Sequence, residues 1–388
     1  MKKAKVLFIL LLPVLLSYPV LASAADENAK KEIWRGASLP AKWGFIDKTG
    51  KLIIEPQFNS SAKFSEGIAG LNISGAIPPY AGGYIDKSNK IVIKPQFQFQ
   101  SPFREGLAAV SVKFRWGYID KTGAFVIPAQ FSSARNFNEG LAWAAPDDGK
   151  YDTGEGCIDK SGKFVIEPKF KSVYRIFSDG LSPVYVVHKE GDPPRTGHKH
   201  GYIDKTGKMV IEPAFSQAYP FYEGRALVKV GPFDDTNAGL YGFIDRAGKM
   251  VIEARFQNAL NFSQGLAAVK NAGKWGFIDG SGKMVIPPGY DSTESFAEGL
   301  APVSVAGKWG YIDMTGQMIV QPRYEQAAPF SEGLAKITLG GQKGFIDNTG
   351  RMVIEPRYDL AGAFSEGLCT VGFLSPEFKR KYKYRPYP

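Results

Sequence analysis

Carboxylates are the side chains of this 388-residue chain whose types and spacing could do chemistry. One recurring acid ends a Gly-aromatic-Ile-Asp tetrapeptide, in which only Cys157 replaces the aromatic residue, at Asp47, Asp86, Asp120, Asp159, Asp204, Asp245, Asp279, Asp313 and Asp347. A second acid position lies in Phe-x-acid-Gly, at Glu66, Glu105, Glu139, Asp179, Glu223, Gln264, Glu298, Glu332 and Glu366. Paired carboxylates can hydrolyse glycosides, but such a pair occurs once in a protein and not in every repeat. We therefore predict structural roles, in which these side chains cap turns and bind the local backbone.

The three histidines are the candidate metal ligands. His188, His198 and His200 lie in the longest loop or at its end. A His-x-His pair in a strand places both rings on one face, which could bind a metal ion. The loop is rich in Lys, Arg, Gly and Pro, and no neighbouring repeat motif offers a further carboxylate ligand. A solvated loop is the favoured interpretation, and the sequence predicts no metal and no cofactor.

The two cysteines take the place of core residues. Cys157 replaces the aromatic residue of strand one, and Cys369 replaces an alanine five repeats later. Because a repeat contacts only its neighbours in an array, we predict two buried free thiols and no disulfide. Nucleophile elbows, phosphate-binding loops, dinucleotide fingerprints and zinc-protease motifs are missing from the sequence. The chain is accordingly predicted not to be an enzyme.

Three strands can be assigned to each repeat. Asp47-Lys48-Thr49-Gly50 is typical of a type I turn closed by a glycine with positive φ, and it joins strand one to strand two. Proline in seven copies, as at Pro56, is predicted to end strand two. A connection of about a dozen residues, with recurring aromatics such as Phe58 and Phe64 expected in the core, precedes strand three.

The fold class that follows is all-β, a tandem array of three-stranded antiparallel units. A minimal period of 34 residues with three short strands favours an open, superhelical array. Propeller blades usually have four strands in about 40 residues, and nine copies exceed the usual number of blades. A β-propeller-like ring is the alternative.

Length variation between repeats falls at one junction, where strand three leads to the next strand one. The extended loops are 74–82, 146–155, 187–200 and 231–240. Equivalent loops of a repeat array lie on the same side, so we predict an interaction surface there, with neutral insertions as the alternative. The candidate interaction residues are Tyr80, Asp147, Asp148, Arg195, His198, Asp234 and Asp235.

The first residues have the layout of a secretory signal peptide. Lys2, Lys3 and Lys5 precede an apolar run over 6–21, and Ala22-Ser23-Ala24 offers a cleavage site. The alternative is an uncleaved anchor, but the run is short and contains two prolines. We predict a signal peptide over 1–24, a cap over 25–40, nine repeats over 41–374 and a tail over 375–388. The expected location is periplasmic or extracellular.

The net charge of +10 is concentrated at the two ends of the chain. Without residues 1–24 it is +7, and residues 25–378 carry only +2. The nearly neutral array therefore argues against a nucleic-acid partner. The tail is basic and could bind an anionic envelope polymer or membrane through Lys379, Arg380, Lys381, Lys383 and Arg385.

The repeats resemble the WG-repeat family of bacterial proteins over about residues 41–370. The name-giving pair stands as Trp43-Gly44, Trp116-Gly117, Trp275-Gly276 and Trp309-Gly310, whereas five copies lack the tryptophan. The resemblance implies a β-rich repeat array and no shared enzymatic activity. We predict an exported scaffold that binds a protein or glycan, or alternatively a structural factor tethered by its tail.

Overall fold

A computed structural model describes residues 41–72, 82–149, 154–170, 174–185, 199–231 and 238–381. The nine copies of strand one are β1 (Ala41–Asp47), β4 (Gly82–Asp86), β8 (Arg115–Ile119), β11 (Glu155–Ile158), β14 (His200–Asp204), β18 (Leu240–Ile244), β22 (Lys274–Asp279), β26 (Lys308–Asp313) and β30 (Gln342–Ile346). Those of strand two are β2 (Leu52–Phe58), β5 (Ile91–Phe97), β9 (Phe125–Ala134), β12 (Phe164–Phe170), β15 (Met209–Phe215), β19 (Met250–Phe256), β23 (Met284–Tyr290), β27 (Met318–Tyr324) and β31 (Met352–Tyr358). Those of strand three are β3 (Ile68–Asn72), β7 (Ala108–Val112), β10 (Ala142–Pro146), β13 (Leu181–Tyr185), β17 (Arg225–Val230), β21 (Leu266–Asn271), β25 (Leu300–Val305), β29 (Ala335–Leu339) and β33 (Leu368–Leu374).

The connection between strands two and three, here called the connector, supplies a further strand. Its short strands are β6 (Phe99–Gln100), β16 (Gln217–Tyr222), β20 (Asn258–Ala259), β24 (Ser292–Thr293), β28 (Gln326–Ala327) and β32 (Leu360–Ala361), and the long β9 extends into the connector of its own repeat. The sheets are built from units that run in the order connector, strand three, then strands one and two of the next repeat; the units that begin with β3 and β13 have no connector strand, and the long β9 joins two units into one seven-stranded sheet. We call these nine units blades and number each after the repeat that provides its strand three.

The predicted turn between strands one and two is confirmed. The Gly50 N–H donates to the Asp47 carbonyl at 3.0 Å, and Gly50 has a φ of 82°. Asn89, which replaces this glycine once, has a φ of 68°. The Asp47 carboxylate accepts from the Thr49 and Lys51 N–H groups, so the aspartate caps the turn with its side chain.

The proline of strand two does not end the strand, contrary to the prediction. β2 continues through Pro56 to Phe58, and its register against β1 shifts between the Trp43–Phe58 and Phe45–Ile54 pairs. Strand two lies at the edge of its sheet, where a missing N–H costs no ladder bond. At this irregularity a Cβ on Gly44 would lie 2.4 Å from the Ile54 carbonyl oxygen. The glycine of the Trp-Gly pair is thus required by close backbone approach.

The array is closed into a ring. β33 pairs with β1 over seven residues, from Ala41–Leu374 to Asp47–Leu368, so blade 9 contains the first two and the last two strands. The all-β tandem array is confirmed, and of the two expected arrangements the structure shows the propeller-like ring and not the open array. The short period is sufficient because the connector provides the fourth strand.

The core is divided among nine apolar clusters, each lying between adjacent blades, as in the cluster that joins Phe277 of blade 6 to Phe296 of blade 7. The aromatic residue of strand one packs against the connector phenylalanine, with centroids 4.8 Å apart for this pair. Cys157 lacks the ring for this contact. Trp143, from the preceding strand three, stacks on Phe177 in its place at 6.3 Å, so a neighbouring strand restores the lost aromatic volume.

Candidate functional site

The two ends of the ring differ in what they present. Successive strands of a blade are antiparallel, so the acid turns and the Asp turns lie at one end, here the turn end. The junctions between strand three and the next strand one lie at the opposite end, here the loop end. Every extended loop of the sequence therefore belongs to the loop end.

The acids of the turn end bind the next blade. Glu66 accepts a hydrogen bond from the Gly106 N–H at 3.2 Å and an ion pair from Lys121 Nζ at 3.2 Å. The glycine contacts run around the whole ring, as Glu66–Gly106, Glu105–Gly140, Glu139–Gly180, Asp179–Gly224, Glu223–Gly265, Gln264–Gly299, Glu298–Gly333, Glu332–Gly367 and Glu366–Gly67. The local capping role predicted for this position is replaced by a contact between blades.

A lysine two repeats further on completes this contact in five places. The ion pairs are Lys48–Glu332, Lys87–Glu366, Lys121–Glu66, Lys160–Glu105 and Lys205–Glu139. All are partly exposed, so each contributes about 1 kcal/mol or less. Lys48–Glu332 and Lys87–Glu366 span the junction where the ends of the chain meet.

Two departures from this pattern support its structural role. Gln264 keeps the hydrogen bond to Gly299 but carries no charge, and the equivalent lysine position holds Met314. Where Gly280 replaces the lysine, the guanidinium of Arg225 occupies the space, 2.8 Å from a Cβ built on that glycine. In the first case both partners have changed, and in the second a neighbouring arginine takes the place of the lysine side chain.

Two turn-end carboxylates, Asp313 and Glu66, illustrate how the ionised form is stabilised. The Thr315 hydroxyl lowers the pKa of Asp313, with further contributions from backbone N–H groups. For Glu66, burial acts to raise the pKa, but the Gly106 N–H and Lys121 outweigh it and the pKa is lowered. A general acid needs the opposite shift, so these groups are suited to holding the ring together.

The loop-end candidates divide between described and undescribed residues. Tyr80, Arg195, His198, Asp234, Asp235 and His188 lie outside the described residues. Asp147 Oδ2 pairs with Arg115 Nε at 2.5 Å, which links blades 3 and 2, and Asp148 also has an interaction partner. Three of the four extended loops emerge from paired residues, Asn72–Gly82, Tyr185–His200 and Val230–Leu240.

Among the described residues, His200 and the two cysteines lie in packed surroundings. His200 stands in β14, where its ring lies 5.5 Å from that of Tyr185. Within the described residues, no group of three or more His, Cys, Asp or Glu could hold a metal ion. Cys157 and Cys369 are buried free thiols, as predicted, and burial raises the pKa of both.

Part of the basic tail is bound to the ring. Residues Pro376–Lys381 form the helix α1, and Lys379 Nζ lies 2.7 Å from Asp359 Oδ2, whose side chain is 2 % exposed. Arg380 is exposed, whereas Lys383 and Arg385 lie outside the described residues. Lys379 is therefore a structural residue and not a free cation of the tail. In the described part of the chain, no helix is long and apolar enough to cross a membrane.

The sequence comparison of repeats missed a group of arginines. Arg104, Arg135 and Arg175 belong to the connectors of blades 2, 3 and 4 and converge on one cleft. They escape notice because a search for shared positions discards whatever a single repeat changes. The signal that could have found them is a bulky cation at positions where other repeats have small residues.

Nine segments of the chain match the profile of the family described as WG containing repeat, at residues 43–75, 83–113, 116–151, 156–186, 201–231, 241–275, 275–309, 309–342 and 344–372. No curated protein matches the sequence.

Solved structures resemble the chain at low identity. A eukaryotic initiation factor has a TM-score of 0.39 at 12 % identity, covering 81 % of this chain and 98 % of its own. The β-propeller domain of the Trilobed protease from Pyrococcus furiosus has a TM-score of 0.35 at 9 % identity, covering 77 % of this chain and 96 % of its own. The extracellular domain of a putative hybrid two component system from B. thetaiotaomicron has 0.27 at 13 %, covering 85 % of this chain and 52 % of its own. The chain thus spans about half of that last structure.

Proposed function

Because the chain belongs to the WG containing repeat family, we propose that it is a non-enzymatic exported scaffold that binds a protein or glycan of the bacterial cell envelope. The binding surface is the loop end of the ring. The observation that carries this proposal is the confinement of length variation to the junctions at that end. A rigid frame with variable loops at one end is the usual design of a binding protein.

The contrast with the turn end supports the same assignment. There, one hydrogen bond between blades recurs in every repeat, so the turn end has little freedom to change. Residues that bind a partner must differ from the repeat pattern, and the loop end is where such differences accumulate. The recurring carboxylates are committed to capping and blade contacts, which supports a non-enzymatic role.

Replacing the loops tests the proposal. Residues 187–198 of the extended loop 187–200 would be replaced by Ala-Gly, the turn found at Ala306-Gly307, so that His200 keeps its pairing with Tyr185. An inserted Gly-Ser-Gly at Ala306-Gly307 is the matched control. Both variants and the unchanged protein are then sedimented with washed envelope material. We expect the loop replacement to abolish co-sedimentation at an unchanged melting temperature and the control to retain it. Full co-sedimentation after replacement of all four loops would overturn the proposal.

The alternative role, a factor tethered to an anionic envelope polymer or membrane, depends on the tail beyond α1. Since Lys379 is bound to Asp359, a deletion that removes it would also disturb the ring. Deletion of residues 382–388 alone avoids this. Loss of co-sedimentation in that variant, with the four loops intact, would favour the tether over the loop end.

A further inference from the structure

A cleft of about 510 Å³ lies among the connectors of blades 2, 3, 4 and 5. Its polar lining includes Arg104, Arg135, Asn138, Tyr174, Arg175 and Tyr222. Arg104 and Tyr222 immediately precede the acid turns of their repeats, so the cleft opens toward the turn end. It is distinct from the loop end, to which the scaffold function was assigned.

Besides the acid–glycine bonds, a second set of hydrogen bonds joins neighbouring blades, and three residues of the cleft stand where this set is interrupted. The position three before strand three holds serine in five repeats, and the serine hydroxyl donates to the connector phenylalanine carbonyl of the next blade, as from Ser65 to Phe103 at 2.7 Å. In blades 2, 3 and 5 the same position holds Arg104, Asn138 and Tyr222. The ring does not require these larger side chains, since serine makes the contact elsewhere.

Two arginines stand at a second variable position, six before strand three. Arg135 and Arg175 occupy it in blades 3 and 4, whereas four other blades have Ala, Ser or Gly there. Repeat 4 contains one additional residue before strand three, and Arg175 has a φ of 51°. A left-handed conformation at a non-glycine residue costs about 1 kcal/mol or more. The additional residue thus coincides with a left-handed backbone at the position that bears this guanidinium.

The cleft has more positive than negative charge. Arg175 Nε pairs with Glu155 Oε2 at 2.6 Å, but the buried Nε of Arg135 has no hydrogen-bond partner. The nearby turn-end acids Glu105 and Glu139 form ion pairs with Lys160 and Lys205, respectively. Burial and the charge of Arg175 lower the pKa of Arg135, and the opposing effect of Glu155 does not outweigh them. A buried guanidinium nitrogen without a hydrogen-bond partner is costly, and none of the described acids supplies a bond to this Nε.

We propose that this cleft binds an acidic saccharide, with the carboxylate of a uronic acid paired with Arg135. A guanidinium binds a planar carboxylate through two parallel hydrogen bonds. Tyr174 and Tyr222 offer ring faces against which a sugar ring can lie, and both carry a hydroxyl for polar contacts. Tyr222 is 41 % exposed, so its ring is accessible from the mouth of the cleft.

Calorimetric titration tests this proposal with trigalacturonate, neutral maltotriose and inorganic phosphate as probes. We expect trigalacturonate to bind with one site per chain and at least about tenfold more tightly than the other two probes. Arg135→Gln should weaken its binding by about tenfold or more. The matched control is Arg351→Gln, since the Arg351 side chain is 79 % exposed and paired only with its own turn.

Tyr222→Ser protects the test against misfolding, because serine fills this position in five repeats. It should fold normally and bind trigalacturonate more weakly. Equal affinity for maltotriose or phosphate, or unchanged affinity in both Arg135→Gln and Tyr222→Ser, would overturn the proposal. Replacing the loops 74–82, 187–198 and 231–240, which leaves Glu155 and its pair with Arg175 in place, should leave trigalacturonate binding intact, so failure of this site and failure of the loop-end scaffold are distinguishable.

Discussion

The ring has two arcs that differ in regularity. In blades 6, 7 and 8 the strand-three junctions are two-residue turns, Ala272-Gly273, Ala306-Gly307 and Gly340-Gly341, with positive φ at both residues, and blade 9 joins the chain ends. We call blades 6–9 the plain arc. Blades 1–5, the specialised arc, contain all four extended loops and the arginine-lined cleft.

The comparison separates what the ring needs from what it tolerates. The acid–glycine hydrogen bonds pass through both arcs without interruption, so they define the geometry of the ring. The loops and the arginines occur in one arc, and the plain arc closes without them. Features confined to the specialised arc are therefore better explained by binding than by folding.

Replacing the glycine of strand one should cause the largest loss of stability, and this loss should be the same in both arcs. Gly310→Ala in the plain arc and Gly156→Ala in the specialised arc each place a Cβ 2.2 Å from a backbone carbonyl oxygen, of Val320 and Ile166 respectively. Each should lower the free energy of unfolding by about 2–3 kcal/mol, measured by urea denaturation. Gly289→Ala is the matched control, because its nearest atom lies 4.0 Å away. A loss of unfolding free energy in only one of the two variants would contradict the claim that both arcs are built in the same way.

A buried lysine is an exception in the plain arc. Lys343 replaces the tryptophan of repeat 9, is 5 % exposed, and has its pKa lowered by burial to about 8. The unfolded state therefore binds more protons between about pH 8 and 10.5, so stability should rise with pH in that window. Lys343→Met should raise the free energy of unfolding at pH 7 by about 1–3 kcal/mol and reduce the rise, of which the lowered pKa of Lys336 leaves a part. Exposed Lys308→Met serves as control, and a less stable Lys343→Met would contradict the account.

The acid contacts should have smaller effects that are again equal between arcs. Glu332→Ala and Glu139→Ala leave a glycine N–H without its acceptor and should each cost about 1 kcal/mol in thermal unfolding. Glu332→Gln should cost less, as Gln264 shows that an amide suffices. The Gly367 and Glu366 N–H groups and Lys48 lower the pKa of Glu332 despite the opposing effect of burial. Its stabilisation should thus be lost as pH falls below about 4.5, and an acid-insensitive Glu332→Gln difference would refute this.

The smallest expected change in the free energy of unfolding is that of Arg135→Ser, and its sign is opposite to that of the glycine and acid variants. Arg135→Ser, which introduces the residue of the equivalent Ser101 position, removes a half-buried guanidinium whose buried Nε has no hydrogen-bond partner. Its free energy of unfolding should be unchanged or raised by about 0.5 kcal/mol, because binding residues often cost stability. A loss of more than about 1 kcal/mol in the free energy of unfolding would show that Arg135 stabilises the ring. The distinction between the two arcs would then not hold for this residue.

Local and repeated features could be predicted from the sequence. The Asp47 turn, the αL position at Asn89 and the buried Phe58 and Phe64 follow from short-range patterns, and the structure confirms them. Ring closure could not be read in this way, because it depends on the summed rotation of nine blades.

Contacts between blades escaped prediction for a related reason. The bond from Gly106 to Glu66 joins residues 40 positions apart, and the stacking of Trp143 on Phe177 is meaningful only once Cys157 is placed beside them. The arginine cleft required both the ring and a comparison of what individual repeats change.

Closure of the ring is tested most directly by zero-length carbodiimide crosslinking of the monomer, followed by mass mapping of the linked peptides. Lys48 Nζ lies 3.3 Å from Glu332 Oε2, and Lys87 Nζ lies 3.2 Å from Glu366 Oε2, across the closing blade. Lys121–Glu66 and Lys160–Glu105, at 3.2 and 3.4 Å within the chain, are internal controls. We expect all four crosslinks in the monomer. Detection of the two control crosslinks without the Lys48–Glu332 and Lys87–Glu366 crosslinks would show that the array is open.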